Sequence, residues 1–318
     1  VDNVAQSKIV ILCGDKEQSQ TIDNEKAISL QTDQRVEYTF HISKSGNYTL
    51  ALRYRPMDEK NTSIKVAAMI DDAYPLPAFE NLEFPKMWED NGKARVDGNG
   101  NEFAPTQKLA EDYFSIEAID SSSNYSEPLE IELTQGQHTV KITAVDAPFF
   151  LSEIIFSPPE KILSYDEYLK SYSLNQVYQG EEQVLEGECA AFKSSPSLIP
   201  LSDNSDPGLS PTDAVKSKLN YIGGSNWNSQ SDMITWTLTV PETGFYKLGI
   251  WYRQKEIING NCYRWLKIDG ETPFEEAKQI AFPYSNNWKF LTFSDSENKP
   301  YWIWLEKGER EITLSVTL

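Results

Sequence analysis

Two segments of the chain alternate apolar and polar residues with a period of two. The segments are residues 36–42 and 234–240, and their apolar positions are Tyr38, Phe40 and Ile42 in the first and Trp236, Leu238 and Val240 in the second. A period of two places successive side chains on opposite faces of a strand. Each segment therefore predicts a strand that turns one face toward a core, with Trp236 in that core.

Turn-forming residues follow these segments and separate further short strands. Gly46 and Gly244 each stand before a second alternating segment, and Gly136 and Gly308 each stand between the two halves of a hairpin pattern. Glycine suits such turns because it adopts positive φ angles without steric cost. Many short strands separated by Gly and Pro turns indicate an antiparallel sandwich.

The same pattern occurs twice in the chain. At a constant separation of 198 positions, six pairs are identical: Thr39/Thr237, Gly46/Gly244, Tyr48/Tyr246, Leu50/Leu248, Tyr54/Tyr252 and Arg55/Arg253. Near the end of each half the separation is 172 positions, as between Gly136 and Gly308. The first copy therefore carries a net insertion of 26 residues. We place it between Trp88 and Pro128, with Trp88 aligned on Trp288.

The predicted fold class is all-β, with two tandem antiparallel β-sandwich domains and a short helical linker. A length of 318 residues suits two cores better than one. Ser164 and Glu167 have the spacing of a capping box, which predicts the start of the linker helix. The predicted parts are a first domain at 1–160 with an inserted loop at 89–127, a linker at 161–178 and a second domain at 179–318.

Charge and hydropathy exclude two classes of partner. The formal net charge is −19, and an acidic protein repels phosphate backbones, so we expect no nucleic-acid partner. No run of 18 apolar residues occurs in the sequence, so we expect no membrane insertion. The chain starts at Val1 without a basic head or an apolar stretch, and we interpret it as a mature or trimmed piece.

Cysteine and histidine are scarce. The three cysteines, Cys13, Cys189 and Cys262, form no Cys-x-x-Cys pair, and such isolated cysteines are usually buried small apolar groups. Pairing of Cys189 with Cys262 stays open. The two histidines, His41 and His138, are expected on the surface.

These counts argue against catalysis. A Ser-His-Asp triad or a zinc hydrolase needs histidines in a site, and the sequence has no nucleophile elbow, P-loop or dinucleotide fingerprint. We therefore predict that the protein is not an enzyme. The 48 acidic residues leave a glycosidase carboxylate pair as a weaker alternative.

Two loops of the second copy combine aromatic and amide residues. Sugar rings have apolar faces and hydroxyl rims, so sugar sites pair aromatic platforms with polar side chains. The loops are residues 221–227 and 282–288. The candidate ligand-binding residues are Tyr221, Asn226, Trp227, Arg253, Tyr284, Asn287 and Trp288. The alternative is that Trp227 and Trp288 are core plugs or contacts between domains.

Two further features support other interpretations. Trp302 and Trp304 face away from Ile303 and Leu305 in the strand pattern, so one pair is exposed or covered by another domain, which would mark an interface. Asp97, Asn99 and Asn101 alternate like part of a calcium loop, but we expect a flexible turn-rich loop because the distal Glu of such a loop is absent.

The motif Gly-x-Tyr-x-Leu-x-x-x-Tyr-Arg at 46–55 and 244–253, followed by Ile-Asp at 70–71 and 268–269, resembles galactose-binding-like jelly-roll sandwiches. Among these it is most similar to calcium-linked carbohydrate-binding modules. The resemblance implies carbohydrate binding without catalysis. It also implies a structural calcium at a Glu-x-Glu strand, which Glu186 and Glu188 match in the second copy. The first copy has Cys13-Gly14-Asp15 there. The implied ion site also uses an acid on its last strand, and this ligand is missing after Thr317 or lies beyond the given residues.

A narrower resemblance covers most of the second copy. Residues 221–227, 240–249, 268–274 and 305–309 look like the N-terminal sandwich region attached to large solute-binding proteins of sugar ABC transporters in Firmicutes. This resemblance implies an extracellular or cell-surface location in a Gram-positive bacterium, within a sugar-uptake or glycan-degrading system. The implied partners are an oligo- or polysaccharide and other domains of the parent protein. The alternative is a structural or interaction module with no sugar site of its own.

Overall fold

The computed structural model describes residues 6–15, 19–119, 127–172, 176–230 and 232–317. The chain divides into two units: the described residues of Val1–Met87 and Leu109–Lys161 form the first, and those of Trp88–Lys108 and Ile162–Leu318 form the second. Strands dominate both units, so the fold is all-β, as predicted. The start at Val1 and parts of the predicted insertion (120–126) and linker (173–175) lie outside the described residues.

The elements before the helix fall into three stretches. The first stretch contains β1 (Ile9–Leu12), β2 (Ser19–Ile22), β3 (Glu25–Leu30), β4 (Arg35–Ile42), β5 (Gly46–Pro56), β6 (Ile64–Ile70) and β7 (Leu82–Phe84). The second contains β8 (Trp88–Asp90), β9 (Arg95–Val96), β10 (Glu102–Phe103) and β11 (Gln107–Leu109). The third contains β12 (Phe114–Glu117), β13 (Glu130–Leu133), β14 (Gly136–Asp146) and β15 (Phe149–Ser157).

The remaining elements all belong to the second unit. The helix α1 (Tyr165–Ser171) is followed by β16 (Phe192–Lys193), β17 (Pro200–Leu201), β18 (Tyr221–Ile222), β19 (Met233–Val240), β20 (Gly244–Tyr246), β21 (Gly249–Gln254), β22 (Asn261–Ile268), β23 (Ile280–Pro283), β24 (Ser285–Thr292), β25 (Ile303–Leu305) and β26 (Gly308–Thr317). Short 3₁₀ turns lie at Cys13–Asp15, Pro77–Glu80, Gly224–Asn226 and Glu275–Gln279.

The first unit is a sandwich of two antiparallel sheets. One sheet has the order β12-β5-β15-β3-β2, with β1 on β15 and β13 on β5, and the other has the order β4-β14-β6-β7. The alternating positions of β4 and β5 point between the sheets, where Phe40 stacks on Phe156 at 4.5 Å between ring centroids. Burial of this apolar set is the main force that holds the two sheets together.

The second unit has one large sheet and several two-stranded ribbons. The sheet order is β11-β8-β16-β19-β26-β22-β23, and the ribbons are β9-β10, β17-β18, β20-β25 and β21-β24. The core lies between this sheet and the last two ribbons. Trp236 of β19 is buried there, as its phase in the sequence predicts.

Equivalent hydrogen bonds support the internal repeat. In both units a tyrosine hydroxyl donates to the backbone carbonyl four residues before it, and a second tyrosine hydroxyl donates to a proline carbonyl. The equivalent pairs are Tyr48–Lys44 at 2.8 Å and Tyr246–Glu242 at 2.6 Å, and Tyr54–Pro85 at 2.5 Å and Tyr252–Pro283 at 2.9 Å. All four tyrosines belong to the pairs that define the repeat in the sequence.

The structure differs from the predicted parts of the chain at the insertion. Residues 88–108 belong to the second unit instead of forming a loop of the first. The reason is strand pairing: Trp88 of β8 pairs with Lys193 of β16, and the Lys193 ammonium group, which is fully buried, forms an ion pair with the Asp90 carboxylate. A local sequence pattern does not reveal a partner that lies 103 residues away.

The predicted linker also has a different role. The capping box of Ser164 and Glu167 is present at the start of α1, but the helix packs into the core of the second unit through the buried side chain of Tyr168. It therefore belongs to the second sandwich instead of separating two domains. Among the described residues, no helix has the length and apolar character needed to cross a membrane.

The predicted alignment of Trp88 with Trp288 is wrong. Tyr252 pairs with Lys289, the residue after Trp288, and its repeat equivalent Tyr54 pairs with Phe114. The structural counterpart of Trp288 is therefore Tyr113, the residue before Phe114. The error arises because the insertion starts before Trp88 and not after it.

The prediction that both histidines are exposed holds for His41 and is wrong for His138. His138 is buried in phase with the core positions of β14, and its Nδ1 and Nε2 atoms lie 2.6 Å from Asp71 Oδ2 and 2.8 Å from the Thr134 carbonyl oxygen. Burial alone would lower the pKa of His138, but these two partners raise it above its ordinary value.

The expectation of buried cysteines is also wrong in one case. Cys189 is exposed and Cys262 is half-buried, and the two do not form a disulfide. Residues 185–190 contain a turn at Gly187 and Glu188 and no strand, whereas the resemblance had implied a strand there. The first strand after α1 begins instead at Phe192.

Candidate functional site

An exposed aromatic pair lies on the ribbon of β21 and β24. Trp251 and Phe290 stand directly opposite each other in the antiparallel register. Their ring centroids are 6.0 Å apart with an interplanar angle of 62°, and they are 49% and 50% exposed. Two large apolar side chains that share half-exposed ring faces form a patch that water solvates poorly.

A glycine allows the two rings to come together. Residues i and i+2 share a face of a strand, so Gly249 lies on the same face as Trp251. A Cβ atom at Gly249 would lie 2.4 Å from Phe290 Cζ. The Phe290 ring therefore rests on bare backbone, and any side chain at position 249 would displace it.

The patch continues toward three of the predicted site residues. The Arg253 guanidinium carbon lies 4.9 Å from the centroid of the Trp288 ring, a cation–π contact. The Tyr221 ring meets the same indole edge-on, with centroids 5.3 Å apart. We call the surface formed by Tyr221, Trp251, Arg253, Trp288 and Phe290 the aromatic face.

One carboxylate holds two members of the aromatic face. Asp203 Oδ2 accepts a hydrogen bond from Trp288 Nε1 at 3.0 Å and forms an ion pair with Arg253 Nη1. Its other oxygen, Oδ1, accepts from the Ser205 backbone N–H at 2.8 Å. Burial works against the charge of Asp203, but bonds from Ser205 and Trp288 and the charge of Arg253 hold its pKa below the ordinary value. Asp203 therefore acts as an anchor whose two oxygens are occupied by the protein.

Trp227 belongs to a different cluster. The Arg264 guanidinium carbon lies 4.4 Å above its ring, and its Nε1 donates to the Asp232 carbonyl oxygen at 3.4 Å. Its ring centroid lies 6.4 Å from that of the buried Trp236. In the part of the chain that the structure describes, no hydrogen bond or ring contact joins Trp227 to the aromatic face, and its contacts match the alternative of a packing residue.

The remaining predicted site residues lie in loops. Asn226 is exposed, and its Nδ2 donates to the Ser197 carbonyl oxygen at 3.1 Å. Tyr284 is half-buried, and its backbone N–H donates to the Gly260 carbonyl oxygen at 2.9 Å. Asn287 is exposed at the start of β24. None of these three side chains has a described hydrogen bond or ring contact with the Trp288 side chain, and a ligand-binding role for them stays a prediction.

The side chains of Trp302 and Trp304 are half-buried and pack against the core of their own unit. The Trp304 ring stacks on Tyr172 at 4.7 Å between centroids. The Tyr165 hydroxyl oxygen accepts from the Trp302 backbone N–H at 2.6 Å, and the Tyr168 hydroxyl oxygen accepts from the Trp304 backbone N–H at 2.7 Å. The face that the sequence indicated as an interface is therefore filled by the chain itself.

Glu186 and Glu188, the residues implied for calcium, do not form a full ligand set. Glu188 is buried, and its Oε2 has no hydrogen-bond partner. Burial and the charges of Glu186 and Glu102 raise the pKa of Glu188 to about 7. Among the described residues no group of three or more His, Cys, Asp or Glu side chains is placed to hold a metal ion, whereas calcium takes six to eight oxygens. Structural calcium stays a prediction that rests on the resemblance.

The segment with Asp97, Asn99 and Asn101 is a turn held by its own side chains. Asp97 Oδ1 accepts from the backbone N–H groups of Asn99 at 2.8 Å and Asn101 at 2.9 Å, and its Oδ2 accepts from Asn101 Nδ2 at 2.9 Å. Both Asp97 oxygens are therefore used inside the loop. This geometry matches the expected turn, and the bonds to Asn101 lower the pKa of Asp97.

Trp251, Phe290 and Asp203 were not predicted from the sequence. The alternation of the strand does predict that Trp251 is exposed. Its neighbour Tyr252 points into the core, so Trp251 must point away from it. The role of Phe290 depends on its pairing opposite Trp251, and a local sequence pattern does not reveal which residues of two strands pair. Asp203 lies in a stretch rich in Ser, Asp, Pro and Gly, and no local pattern distinguishes it from an ordinary turn residue.

Comparisons with known proteins identify carbohydrate-binding modules, alone or within enzymes, among the solved structures similar to this chain. A native family 35 module from Clostridium thermocellum is 10% identical with a TM-score of 0.30, covering 47% of this chain and 97% of that chain. The C-terminal CBM6 of LamC, a marine laminarinase from Zobellia galactanivorans, is 6% identical with a TM-score of 0.29, covering 48% and 100%. A GH26-CBM35 β-(1,4)-mannanase from Podospora anserina is 11% identical with a TM-score of 0.30, covering 54% and 36%.

No protein-family model matches the sequence, and no curated protein matches it. At TM-scores near 0.3 the similarity adds nothing to the description of the site. The fold is therefore established by the strands and their pairing, and the site by its contacts.

Proposed function

We propose that the second unit binds carbohydrate through the aromatic face and catalyses no reaction on it. The observation that carries the proposal is the half-exposed pair of Trp251 and Phe290, on a surface that extends to Trp288. Large aromatic side chains left open on a soluble surface indicate a binding site. The apolar faces of sugar rings pack on such rings, while their hydroxyl groups meet the polar residues at the rim.

The rim of the aromatic face supplies hydrogen-bond donors. The Tyr221 hydroxyl has no partner among the described residues, and burial raises its pKa, so it is a neutral donor at physiological pH. Arg253 has five N–H donors, and its described hydrogen bond uses Nη1 alone. Both groups are free to meet the hydroxyl groups of a sugar stacked on the neighbouring rings.

The charge balance of the aromatic face favours an uncharged ligand. Asp203 neutralises Arg253, so this pair offers no net positive charge to an acidic sugar. The chain as a whole carries a formal net charge of −19, which repels anionic polymers. The class of ligand that these charges favour is a neutral oligo- or polysaccharide.

The wider setting is proposed on the sequence resemblance. We propose that the chain is part of an extracellular or cell-surface protein of a Gram-positive bacterium, in a system that takes up sugars or degrades glycans. The interaction-module alternative is weakened, because Trp302 and Trp304 pack against the core of their own unit. What remains of that alternative is a protein partner on the aromatic face itself, which the following experiment distinguishes.

The test is direct. The intact protein is applied to an array of plant and host polysaccharides, and the strongest ligand is titrated by calorimetry. The double variant Trp251→Ala/Phe290→Ala is then compared with Tyr74→Ala, which removes an aromatic side chain that is 40% exposed in the first unit. We expect the double variant to lose affinity by at least about tenfold, or ~1.4 kcal/mol, and Tyr74→Ala to bind normally.

Two results would overturn the proposal. One is the absence of binding to every polysaccharide by a protein whose circular dichroism shows an intact β fold. The other is full affinity in the double variant, which would move the sugar site elsewhere. An aromatic face that binds a protein instead would give the first result.

A further inference from the structure

The loop that contains Asp203 is held by the inserted stretch of the chain. We propose that Glu102 is a positioning residue for the aromatic face, which it orders through residues 217–220 and Asp203. The effect of Glu102 on sugar binding rests on the proposed function, but its effect on the position of Trp288 can be measured without a sugar. All the residues involved belong to the second unit.

The first step is the contact between β10 and residues 217–219. Glu102 Oε2 accepts from the Leu219 backbone N–H at 3.1 Å, and Oε1 pairs with the Lys218 ammonium group. The Glu102 backbone N–H donates to the Ser217 carbonyl oxygen at 2.9 Å. Three consecutive residues are therefore tied to a single glutamate.

The neighbour of Glu102 adds a further bond. Asn101 Oδ1 accepts from the Ser217 backbone N–H at 3.0 Å, so both backbone polar groups of Ser217 are used by the insertion. Asn101 is itself fixed by Asp97 within the turn. The insertion therefore presents a preformed edge to residues 217–219.

The second step runs from Leu219 to its neighbour Asn220. Asn220 is buried, at 6% exposure. Its Nδ2 donates to the Asp203 carbonyl oxygen at 2.9 Å, and its Oδ1 accepts from the Asp203 backbone N–H at 2.9 Å. Nδ2 also donates to the Pro211 carbonyl oxygen at 3.1 Å. This reciprocal pair fixes the backbone of Asp203 in both directions.

The last step is the carboxylate of Asp203, which holds Trp288 and Arg253. A displacement of residues 217–220 moves Asn220, and with it the backbone from which this carboxylate projects. Hydrogen bonds weaken steeply with changes of distance and angle, so the Trp288 bond is a sensitive reporter of that displacement. Glu102 thus acts on the aromatic face without touching it.

The experiment observes Trp288 directly. The intact protein is labelled with ¹⁵N in its tryptophan side chains, and the Trp288 Nε1–H resonance is identified by its loss in Trp288→Phe. We expect Glu102→Ala to shift this resonance and to weaken binding of the best polysaccharide by roughly tenfold, or ~1.4 kcal/mol. Glu102→Gln keeps an oxygen acceptor for Leu219 but loses the charge that pairs with Lys218, and it is expected to shift the resonance less than Glu102→Ala does.

Two further variants complete the test. Lys218→Met removes the ion pair alone, and it replaces Glu102→Ala if that variant does not fold. Glu89→Gln is the matched control, because Glu89 pairs with Lys108 at 2.8 Å within the insertion and not with residues 217–220. The control is expected to leave the resonance unchanged.

An unshifted Trp288 resonance in folded Glu102→Ala and in Lys218→Met overturns the role of Glu102. A resonance that shifts equally in Glu89→Gln also overturns it, because the effect would then be general loosening of the insertion. Sugar binding that survives the loss of Trp251 and Phe290 contradicts the proposed function alone, and the resonance still decides the role of Glu102.

Discussion

Trp288 donates its indole N–H to Asp203 Oδ2 at 3.0 Å, so the polar edge of this ring is already occupied by the protein. What remains for a ligand is the ring surface, on which Arg253 also lies. A ring held by its edge is preorganised, and preorganisation reduces the entropy that binding must overcome. Asp203 thus shapes the aromatic face without being one of its exposed groups.

Replacement of Asp203 should separate charge from geometry. Asp203→Ala removes both acceptors, and we expect it to lower the free energy of unfolding by about 1.5–3 kcal/mol, the range for hydrogen bonds to charged groups. Asp203→Asn keeps one acceptor and should cost less. Denaturant unfolding of both variants measures the difference, and an equal cost would contradict the geometric role.

The pair of His138 and Asp71 should make the stability of the first unit depend on pH. Because the folded-state pKa of His138 is raised, its contribution is complete below the unfolded value near 6.5 and is lost as pH rises through the folded value. We expect the melting temperature to fall as pH increases from about 6 to above the folded pKa of His138. The contribution of Asp71, whose pKa is lowered, is complete above its unfolded value near 4. It is lost as pH falls through the folded value.

The repeat provides the control for that measurement. Arg310 occupies the equivalent position in the second unit and binds Asp269 with an N–O distance of 3.0 Å. His138→Arg should therefore keep a charged partner for Asp71 at every pH and flatten the dependence above pH 6. The same slope in wild type and His138→Arg would exclude this pair as the cause.

Helix α1 should contribute measurably to the stability of the second unit. Tyr168→Phe removes only the hydroxyl that accepts from the Trp304 backbone N–H, and we expect a loss of about 1 kcal/mol. Tyr168→Ala also leaves a cavity in the core and should cost about 3–5 kcal/mol. Thermal or denaturant unfolding checks both values, with Tyr74→Phe as an exposed control. An unchanged free energy of unfolding in Tyr168→Ala would mean that the helix is not part of the core.

The ion pair of Lys193 and Asp90 should respond unequally to loss of its two partners. Lys193 is fully buried, whereas the Asp90 side chain is 25% exposed and also accepts from Gln107 Nε2 at 2.8 Å. Asp90→Asn leaves an ammonium group buried without a counter-charge and should cost more, toward the 3–5 kcal/mol of a broken buried pair. Lys193→Met leaves a partly solvated carboxylate and should cost less; the reverse order of unfolding free energies would contradict this.

Local periodicity was enough to predict the all-β fold and the repeat. Alternation in β4 and β19 depends only on neighbouring residues, and the equivalent tyrosine hydrogen bonds follow from identities such as Tyr54/Tyr252. Local periodicity could not predict that residues 88–108 belong to the second unit, because this depends on pairing with Lys193. His138 illustrates the same boundary, since its partner Asp71 lies 67 residues away.

The candidate site was predicted only in part for a similar reason. Tyr221, Arg253 and Trp288 were chosen by residue type, and the structure brings them together. Trp227 was chosen by the same criterion and packs instead under Arg264. Residue type cannot separate an exposed tryptophan from a packed one, whereas strand phase can, as it does for Trp251.

The equivalent tyrosine bonds leave the opposite face of each strand free to differ between the two units. Tyr54 and Tyr252 point inward, while their neighbours Arg53 and Trp251 point to the other face of the strand. A substitution at the outward position therefore leaves the inward bond intact. One unit has a tryptophan there and the other has an arginine paired with Glu25, so the same scaffold presents two different surfaces.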